Sequence, residues 1–411
     1  MNKEKRRVPK LRFPGFTEDW EQCKLGSIGS TYTGLSGKTK EDFGHGEAQY
    51  ITYLNVFQNT ISDTTMTDKV EIDTTQNEVK YGDVLFTTSS ETPEEVGMSS
   101  VWLSDTPNIY LNSFCFGFRP NQKIDPYFLG YSLRAPYMRD KIKILAQGIS
   151  RYNISKNKVM ELEISMPNNE EQKLLGTFLQ HIDLIITLHQ RKLEHLNLKK
   201  KALLQKLFPK NGERYPELRF PGFTDAWEQR KLGDFTNQIN TFVNPEDAKL
   251  PLWSLTAEAG LIEKSDRYER DFLVKKKDQF KRIETNTLVY NPMNITIGSI
   301  DIYTGLYPIA VSGYYVSIVY DKNIDTDFLK EVLLLPSSLK MYKNYATGSL
   351  IERQRVQYPT FSKLQLLLPN LDEQKAIGQF FKSLNLDITL HQRKLEHLQL
   401  QKKALLQQMF V

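Results

Sequence analysis

The chain has 411 residues, a hydrophobic fraction of 40% and a formal net charge of +5. This length suits two or three domains, and the composition excludes wholesale disorder. Two cysteines are too few for a disulfide framework, and no uncharged apolar run of about 18 residues occurs, so we expect a cytoplasmic protein without a membrane span. The mild positive charge permits an acidic partner such as nucleic acid without establishing one.

A short segment near the start of the chain recurs about halfway along it. Residues 9–26 read PKLRFPGFTEDWEQCKLG, and residues 216–233 read PELRFPGFTDAWEQRKLG. A Pro-Gly turn between aromatic residues predicts a rigid corner in which Phe13, Phe16 and Trp20 pack on a nearby element.

Two stretches of similar length follow these openings but share little sequence. Alternating apolar runs predict strands at 50–57, 84–88, 115–118, 287–290, 297–303 and 315–320. Each stretch then has a predicted short helix, a Gly-containing loop and a strand that ends in Pro-Asn. In the first stretch the helix is at 126–133, the loop at 146–148 and the Pro-Asn at 167–168. In the second the helix is at 326–335, the loop at 346–348 and the Pro-Asn at 369–370. The mixture predicts two α+β globules.

Each stretch is followed by a long amphipathic helix, and the two helices share the sequence LHQRKLEHL at an offset of 202 residues. Their apolar residues recur at alternating steps of four and three, which is the spacing of a coiled-coil seam. The predicted seam residues are Leu179, Ile182, Ile186, Leu193, Leu196, Leu203, Phe381, Leu384, Ile388, Leu395, Leu398 and Leu405. Neither stripe can be buried alone, so we expect the helices to pack as an antiparallel coiled coil.

These repeats predict the organisation of the whole chain. The expected fold is α+β, with two globular mixed α/β domains separated by two long helices and related by internal pseudo-twofold symmetry. The predicted boundaries are 1–169 for the first domain, 170–208 for the central helix, 209–371 for the second domain and 372–411 for the distal helix.

Several short motifs suggest catalytic or metal sites, but none is complete. Residues 37–39, Gly-Lys-Thr, end like a phosphate-binding loop, yet position 32 is Tyr32 where the first glycine would stand. Residues 291–294, Asn-Pro-Met-Asn, lack the second proline and the aromatic residue of an adenine-methyltransferase motif, so a strand-end turn is the better interpretation. Residues 78–80, Glu-Val-Lys, lack the upstream Pro-Asp of a nuclease site.

The histidines on the long helices do not have the spacing of a metal site. His189 and His195 are six residues apart, which places them on different helical faces, whereas zinc-binding helices use a spacing of four. We expect His189, His391, Lys200 and Lys402 to be polar seam residues that set the register of the pair.

Since no catalytic or metal motif is complete, the remaining candidate residues are those that could bind a ligand such as nucleic acid. Lys and Arg side chains bind phosphates, and Arg, Asn and Gln at loop tips read base edges. The candidate DNA-binding residues in the first domain are Lys38, Lys40, Thr88, Ser89, Arg151, Asn153, Lys156 and Lys158. Those in the second domain are Lys276, Lys277, Arg282, Asn291, Ser349, Arg353 and Arg355. A solvated surface is the alternative for any single one of them.

The sequence resembles the DNA-specificity subunit of type I restriction-modification systems. The resemblance is carried by the double FPGF…WE…KLG opening, the two EQK…LHQRKLEHL…LLQ helices and the strand start Gly82-Asp83-Val84-Leu85-Phe86. The second domain has Asn286-Thr287-Leu288-Val289-Tyr290 where the first has this strand start.

The resemblance implies a subunit without catalytic activity or cofactors of its own. Each variable domain would be a target-recognition domain that reads one half of a bipartite double-stranded DNA site. The helices would space the two domains and bind two methyltransferase subunits, which carry S-adenosylmethionine and methylate adenine. Restriction subunits would supply ATP- and magnesium-dependent cleavage. The alternatives left open are a coiled-coil adaptor or scaffold that binds no DNA, and a self-contained enzyme.

Overall fold

The structure, a computed structural model, describes residues 8–210, 212–264, 280–348 and 354–411. The chain divides into two compact units, of which the first holds Met1–Arg191 with Gln392–Val411 and the second holds Lys192–His391. Across the described ranges, no helix is long and apolar enough to cross a membrane.

The first unit combines strands, short helices and part of each long helix. Its strands are β1 (Glu21–Lys24), β2 (Gly29–Thr33), β3 (Phe43–Ile51), β4 (Thr67–Val70), β5 (Val84–Thr87), β6 (Ser89–Ser90), β7 (Ser99–Val101), β8 (Ile109–Leu111), β9 (Cys115–Pro120), β10 (Tyr152–Asn153) and β11 (Glu163–Met166). Its helices are α1 (Tyr53–Gln58), α2 (Pro126–Arg134), α3 (Pro136–Ile144), α4 (Lys156–Met160) and the first part of α5 (Asn169–Leu207).

A four-stranded antiparallel sheet, in the order β2-β9-β5-β7, is the centre of the first unit. Strand β5 has a partner on each side and is buried along its whole length, which explains its continuous apolar run. Its Val84 and Phe86 share a core with Leu129 of α2 and Met138 of α3. A second sheet, β4-β3-β8, pairs β3 with β8 in parallel. The predicted strands at 84–88 and 115–118 are thus confirmed.

The predicted strand at 50–57 is wrong beyond Ile51, because α1 begins at Tyr53. Thr52 caps this helix, its Oγ1 accepting a hydrogen bond of 3.3 Å from the backbone N–H of Asn55. The buried side chain of Asn55 donates to the carbonyl of Asp63 at 2.7 Å. The cap and this longer-range bond override the strand propensity of the apolar run.

The second unit has a corresponding set of elements. Its strands are β12 (Glu228–Lys231), β13 (Thr236–Ile239), β14 (Phe242–Val243), β15 (Trp253–Thr256), β16 (Gly260–Glu263), β17 (Phe280–Ile283), β18 (Thr287–Tyr290), β19 (Ile300–Tyr303), β20 (Ile309–Ser312), β21 (Val316–Tyr320) and β22 (Gln365–Leu368). Its helices are the last part of α5, α6 (Thr326–Leu333), α7 (Pro336–Tyr345), α8 (Tyr358–Phe361) and the first part of α9 (Leu371–Gln408). The predicted strand at 297–303 begins only at Ile300, since a 3-10 turn and the left-handed Gly298 precede it.

The central sheet of the second unit has the order β13-β21-β18-β19, so β18 takes the position of β5. The residues that start these two strands are equivalent although their types differ. Gly82 has φ +84° and donates its N–H to the carbonyl of Trp102, while Asn286 has φ +61° and donates to the carbonyl of Tyr303. Asparagine replaces glycine here because its short polar side chain tolerates the left-handed region.

The repeated opening segment is held against the strand that leads into each long helix. Strand β1 pairs antiparallel with β11, and β12 pairs in the same way with β22. The Pro-Asn sequence after β11 and β22 then starts the helix, because Asn168 and Asn370 each accept the N–H of the residue three positions later, at 3.0 and 2.9 Å.

Aromatic residues of the opening segment form the predicted rigid corner. Phe13 lies edge-on to Phe178 of α5, with ring centroids 5.6 Å apart. Trp20 is buried and contacts the rings of Phe128 and Phe410 edge-on. Phe16 is half-buried.

A buried ion pair fixes this corner to the long helix, and it occurs in both units. Arg12 donates from Nε and Nη2 to the two carboxylate oxygens of Glu171, at 2.7 and 2.8 Å. Arg219 binds Glu373 in the same bidentate way, at 2.7 Å for both bonds. Both glutamate side chains are 0% exposed. The hydrogen bonds that Arg12 donates to Glu171 raise the pKa of the arginine.

Replacing Arg12 with methionine should destabilise the first unit by about 3 kcal/mol, because it leaves the Glu171 carboxylate buried without its partner. Chemical denaturation of the complete chain measures this effect. Arg393→Met, at an exposed position on α9, is the matched control and should change stability by less than about 0.5 kcal/mol. An Arg12→Met variant as stable as that control would contradict the expectation.

Within each unit, the start of one long helix packs against the end of the other. In the first unit, Leu175, Leu179 and Ile182 of α5 share a core with Leu405 and Met409 of α9. In the second unit, the corresponding core contains the seam residues Leu196, Leu203, Phe381, Leu384 and Ile388. The pairing inside each unit is therefore antiparallel, as predicted. Of the remaining seam residues, Ile186 and Leu398 are buried, and Leu193 and Leu395 are half-buried.

The two seam lysines bind different partners. Lys402 lies 2.6 Å from Asp183 of α5 and so joins the two long helices. Lys200 lies 3.3 Å from Glu331 of α6 instead. The difference follows from the sequence, because the repeat of Asp183 is Asn385, whose amide donates to the same Glu331 at 2.7 Å.

Candidate nucleic-acid interface

The end of strand β5 meets a Gly-containing loop in the first unit. Ser89 pairs with Asn153 in the short β6–β10 ladder, and the N–H of Ile154 donates to the carbonyl of Thr88 at 2.9 Å. Arg151 belongs to the same loop. The structure thus brings together four residues that the sequence predicted, Thr88, Ser89, Arg151 and Asn153, which we call the strand-end cluster.

The loop that carries Arg151 has a fixed geometry. Gln147 and Asn153 exchange two backbone hydrogen bonds of 2.9 and 2.8 Å. Gly148 between them has φ +134°, and a Cβ at this position would lie 2.1 Å from the carbonyl oxygen of Arg151. Only glycine fits there, so the loop presents Ile149 and Arg151 to solvent in a defined arrangement.

A groove of about 500 Å³ runs beside the strand-end cluster. Tyr53 and Phe57 of α1 stack with centroids 5.9 Å apart on one side, and Tyr53 donates its hydroxyl to the carbonyl of Ser89. Glu91 and Glu95 line the groove as well. Carboxylates accept hydrogen bonds from exocyclic amino groups of bases, so the groove offers both donors and acceptors.

Two arginines that sequence reasoning missed hold the segments that border this groove. Arg134 donates to the backbone carbonyls of Val56, Phe57 and Ser99, and burial lowers its pKa to about 9. Arg139 donates to the carbonyls of Glu94, Val96 and Gly97, and burial lowers its pKa to about 10. Nothing in their local sequence distinguishes them from the solvated arginines of other short helices.

The second unit repeats the arrangement at the end of β18. Val356 donates its N–H to the carbonyl of Pro292 at 3.0 Å, which matches the bond from Ile154 to Thr88. Thr347 and Arg355 exchange two backbone bonds of 2.9 Å, as Gln147 and Asn153 do. Gly348 has φ +140°. Arg355 therefore takes the position of Asn153.

Asn291 lies directly after β18, in the strand-end turn that the sequence predicted. Its side-chain oxygen accepts the N–H of Met293 at 3.0 Å, and its carbonyl accepts the N–H groups of Asn294 and Ile295. The side-chain amide nitrogen is the group of Asn291 that could donate to a ligand.

Other predicted binding residues lie apart from the two strand ends or are already paired. Lys38 lies 2.7 Å from Asp73, and the hydrogen bond from Lys38 lowers the pKa of that carboxyl group. Lys40 is exposed in the 3-10 turn Lys40–Asp42. Arg282, in β17, lies 2.6 Å from Glu284.

The six remaining candidates fall into two groups. Two lysines, Lys156 and Lys158, are on α4, directly after the strand-end cluster. Four candidates fall outside the described residues, namely Lys276, Lys277, Ser349 and Arg353.

Metal chemistry finds no support in the described ranges, where no group of three or more His, Cys, Asp or Glu side chains could hold an ion. Glu78, from the incomplete nuclease motif, accepts the backbone N–H of Asn108 at 2.7 Å. That bond gives the residue a structural role.

The long helices carry a second surface that the seam pattern did not reveal. Leu184 and Leu188 on α5 are each 55% exposed, and their repeats Leu386 and Leu390 on α9 are 58% and 53% exposed. Residues four apart lie on the same helical face. Each unit thus has its own exposed pair, and we use the name outer leucine face for the two pairs taken together; the pairs lie off the seam, and the sequence signal for them is their identity in both repeats.

A duplicated framework that carries dissimilar clusters at equivalent strand ends defines a protein of two repeated units, each with its own candidate binding surface. The sequence profile of the type I restriction modification DNA specificity domain matches residues 17–198 and again 224–400, so this chain belongs to that family. The family resemblance predicted from the sequence is confirmed.

Two relatives from Methanocaldococcus jannaschii align with nearly the whole chain. One, named as the MjaX specificity subunit of a type I restriction enzyme, is 24% identical over 409 residues, which cover 95% of this chain and 92% of the relative. The type I restriction enzyme MjaVIII specificity subunit is 22% identical over 427 residues, which cover 96% and 92%.

Solved structures support the fold. The crystal structure of a type I restriction-modification S subunit from M. genitalium has a TM-score of 0.64 and 15% identity, covering 98% of this chain and 99% of that one. A chain from a study of complex assembly in the type I restriction-modification system has a TM-score of 0.50 and 16% identity, covering 97% and 98%.

Family membership assigns this chain the role of a DNA-recognising specificity subunit. Specificity subunits are the non-catalytic members of type I systems, so the prediction that the chain is not an enzyme agrees with its family. The comparisons favour DNA recognition over the adaptor or scaffold alternative.

Proposed function

We propose that each unit reads one half of a bipartite, asymmetric double-stranded DNA site. The observation that carries this proposal is the repetition of the strand-end arrangement in both units with different side chains, Arg151 and Asn153 in one and Asn291 and Arg355 in the other. Asn153 and Arg355 stand at corresponding backbone positions, and a different residue at that position would give the two half-sites different sequences.

The chemistry of these residues fits direct readout of bases. Arg151 and Arg355 can each donate two hydrogen bonds to guanine, and Asn153 and Asn291 can bind adenine. Thr88 and Ser89 add shorter polar contacts, and Lys156 and Lys158 on the adjacent helix suit phosphates. Seven residues stay predictions as DNA ligands, namely Lys38, Lys40, Arg282, Lys276, Lys277, Ser349 and Arg353.

We further propose that residues 1–169 and 209–371 act as the two target-recognition domains and that 170–208 and 372–411 act as spacer helices. The outer leucine face would bind two methyltransferase subunits, one at each repeat, since four exposed leucines cost free energy unless a partner covers them. Those subunits would carry S-adenosylmethionine, restriction subunits would use ATP and magnesium, and the complex would act in the cytoplasm.

The test of this function uses the complex of the chain with its methyltransferase. Arg151→Ala should weaken binding to the specific site by about 1–3 kcal/mol and relax the preference at one base pair of one half-site. Quantitative binding to a library of site variants, at fixed salt, measures both effects.

Lys69→Ala, which removes an exposed cation from β4 of the same unit, is the matched control and should leave the base preference intact. Relaxation in both half-sites, or unchanged affinity and preference with Arg151→Ala, would refute the assignment of this cluster.

A further inference from the structure

An exposed aromatic residue occupies the same turn in both units. Phe114 lies between β8 and β9 and is 55% exposed, and Tyr314 lies between β20 and β21 and is 70% exposed. Single exposed aromatic residues are ordinary on protein surfaces. The recurrence of one at an equivalent position, in two domains whose sequences otherwise differ, is what calls for an explanation.

The backbone of each turn confirms that the two positions correspond. The N–H of Phe114 donates to the side-chain oxygen of Asn112 at 2.8 Å, and the N–H of Tyr314 donates to that of Ser312 at 3.4 Å. In the first unit this turn leads into β9, which pairs with β5, and in the second it leads into β21, which pairs with β18. The aromatic residue therefore stands opposite the end of β5 or β18 in the ladder.

Phe114 is firmly attached to the strand-end cluster. Thr88 donates to the carbonyl of Phe114 from both its N–H and its hydroxyl, at 2.9 and 2.8 Å. The guanidinium carbon of Arg151 lies over the ring, 5.7 Å from its centre. The ring is therefore a rigidly mounted apolar group beside the residues that we propose as base ligands.

We propose that Phe114 and Tyr314 each stack on a base at a locally opened step of the duplex, one in each half-site. This inference rests on the proposed function. An aromatic face stacks on any base, and an apolar side chain that enters a base step partly unstacks it. Pyrimidine–purine steps open most easily, so each ring would also favour such a step without making a hydrogen bond to it.

The experiment measures base stacking in the complex with the methyltransferase. Adenines of the specific site, other than the methylated one, are replaced one at a time by 2-aminopurine, whose fluorescence rises when it unstacks. For the unaltered chain we expect an increase on binding at one step in each half-site. Phe114→Ala should abolish the increase in one half-site only and weaken binding about 10-fold, and Tyr314→Ala should do the same in the other.

Three variants make the outcome specific. Phe114→Tyr keeps a stacking ring and should behave like the unaltered chain, whereas Phe114→Leu keeps apolar bulk alone and should behave like Phe114→Ala. Tyr81→Ala removes a ring that is 53% exposed just before β5, at the end of that strand opposite to the strand-end cluster. It should change neither the affinity nor the fluorescence increase.

Two results would overturn the inference while leaving the proposed function in place. One is specific binding by the unaltered chain with no fluorescence increase in either half-site. The other is an unchanged affinity and an unchanged fluorescence increase for Phe114→Leu, which would indicate an apolar contact with a base edge. Absence of any sequence preference in the unaltered complex would instead contradict the proposed function itself.

Discussion

Glutamate at all four positions of the outer leucine face, Leu184, Leu188, Leu386 and Leu390, should abolish adenine methylation by the assembled complex. The four side chains are more than half exposed, so their replacement leaves the seam and the cores of both units intact. Each methyltransferase subunit would instead have to bury two unpaired charges at its own repeat, which costs several kcal/mol. Co-purification with the methyltransferase and methylation of the specific DNA site measure the result.

The control for that variant keeps the change in charge and moves its position. Lys173→Glu with Lys375→Glu alters the total charge by the same amount at exposed positions of the same helices. Changing only Leu184 and Leu188 should leave one methyltransferase bound instead of two. Full methylation by the fourfold variant would show that the partner binds elsewhere on the chain.

Replacing residues 26–166 with the corresponding stretch of another family member should change one half of the recognised site completely and leave the other half intact. The exchanged stretch contains the central sheet, its core and the strand-end cluster of the first unit. Its borders fall after β1 and at the end of β11, two strands that pair through backbone hydrogen bonds and therefore tolerate a change of side chains.

Sequencing of methylated adenines in cells that carry the hybrid and its methyltransferase identifies both half-sites. The reciprocal exchange of 233–368 is the natural control and should alter only the other half. A hybrid that changes both half-sites, or neither, would contradict the division of labour between the units.

The framework of this protein is predictable from its sequence because its main features occur twice in the chain. The FPGF corner, the seam of the long helices and the Pro-Asn caps each occur twice, and each has a local physical cause in a turn, an apolar period or a side-chain cap. The predicted strand at 50–57 failed at Tyr53, because the Thr52 cap and the buried Asn55 outweighed the strand propensity of the apolar run.

The candidate interface was only partly predictable because its residues meet through the fold. Loop composition identified Thr88, Arg151 and Asn153, which the structure brings together. It could not foresee that Lys38 is paired with Asp73, 35 residues away, or that Arg134 donates to four backbone carbonyls. Such pairings depend on long-range packing, which no local pattern encodes.

A map of methylated adenines in cells that contain this chain and its methyltransferase would show directly whether the two units divide the DNA site between them. We expect one asymmetric motif, made of two different half-sites separated by a fixed stretch of unspecified bases. A single uninterrupted motif, or two identical half-sites, would contradict the claim that two dissimilar domains each read their own part of the DNA.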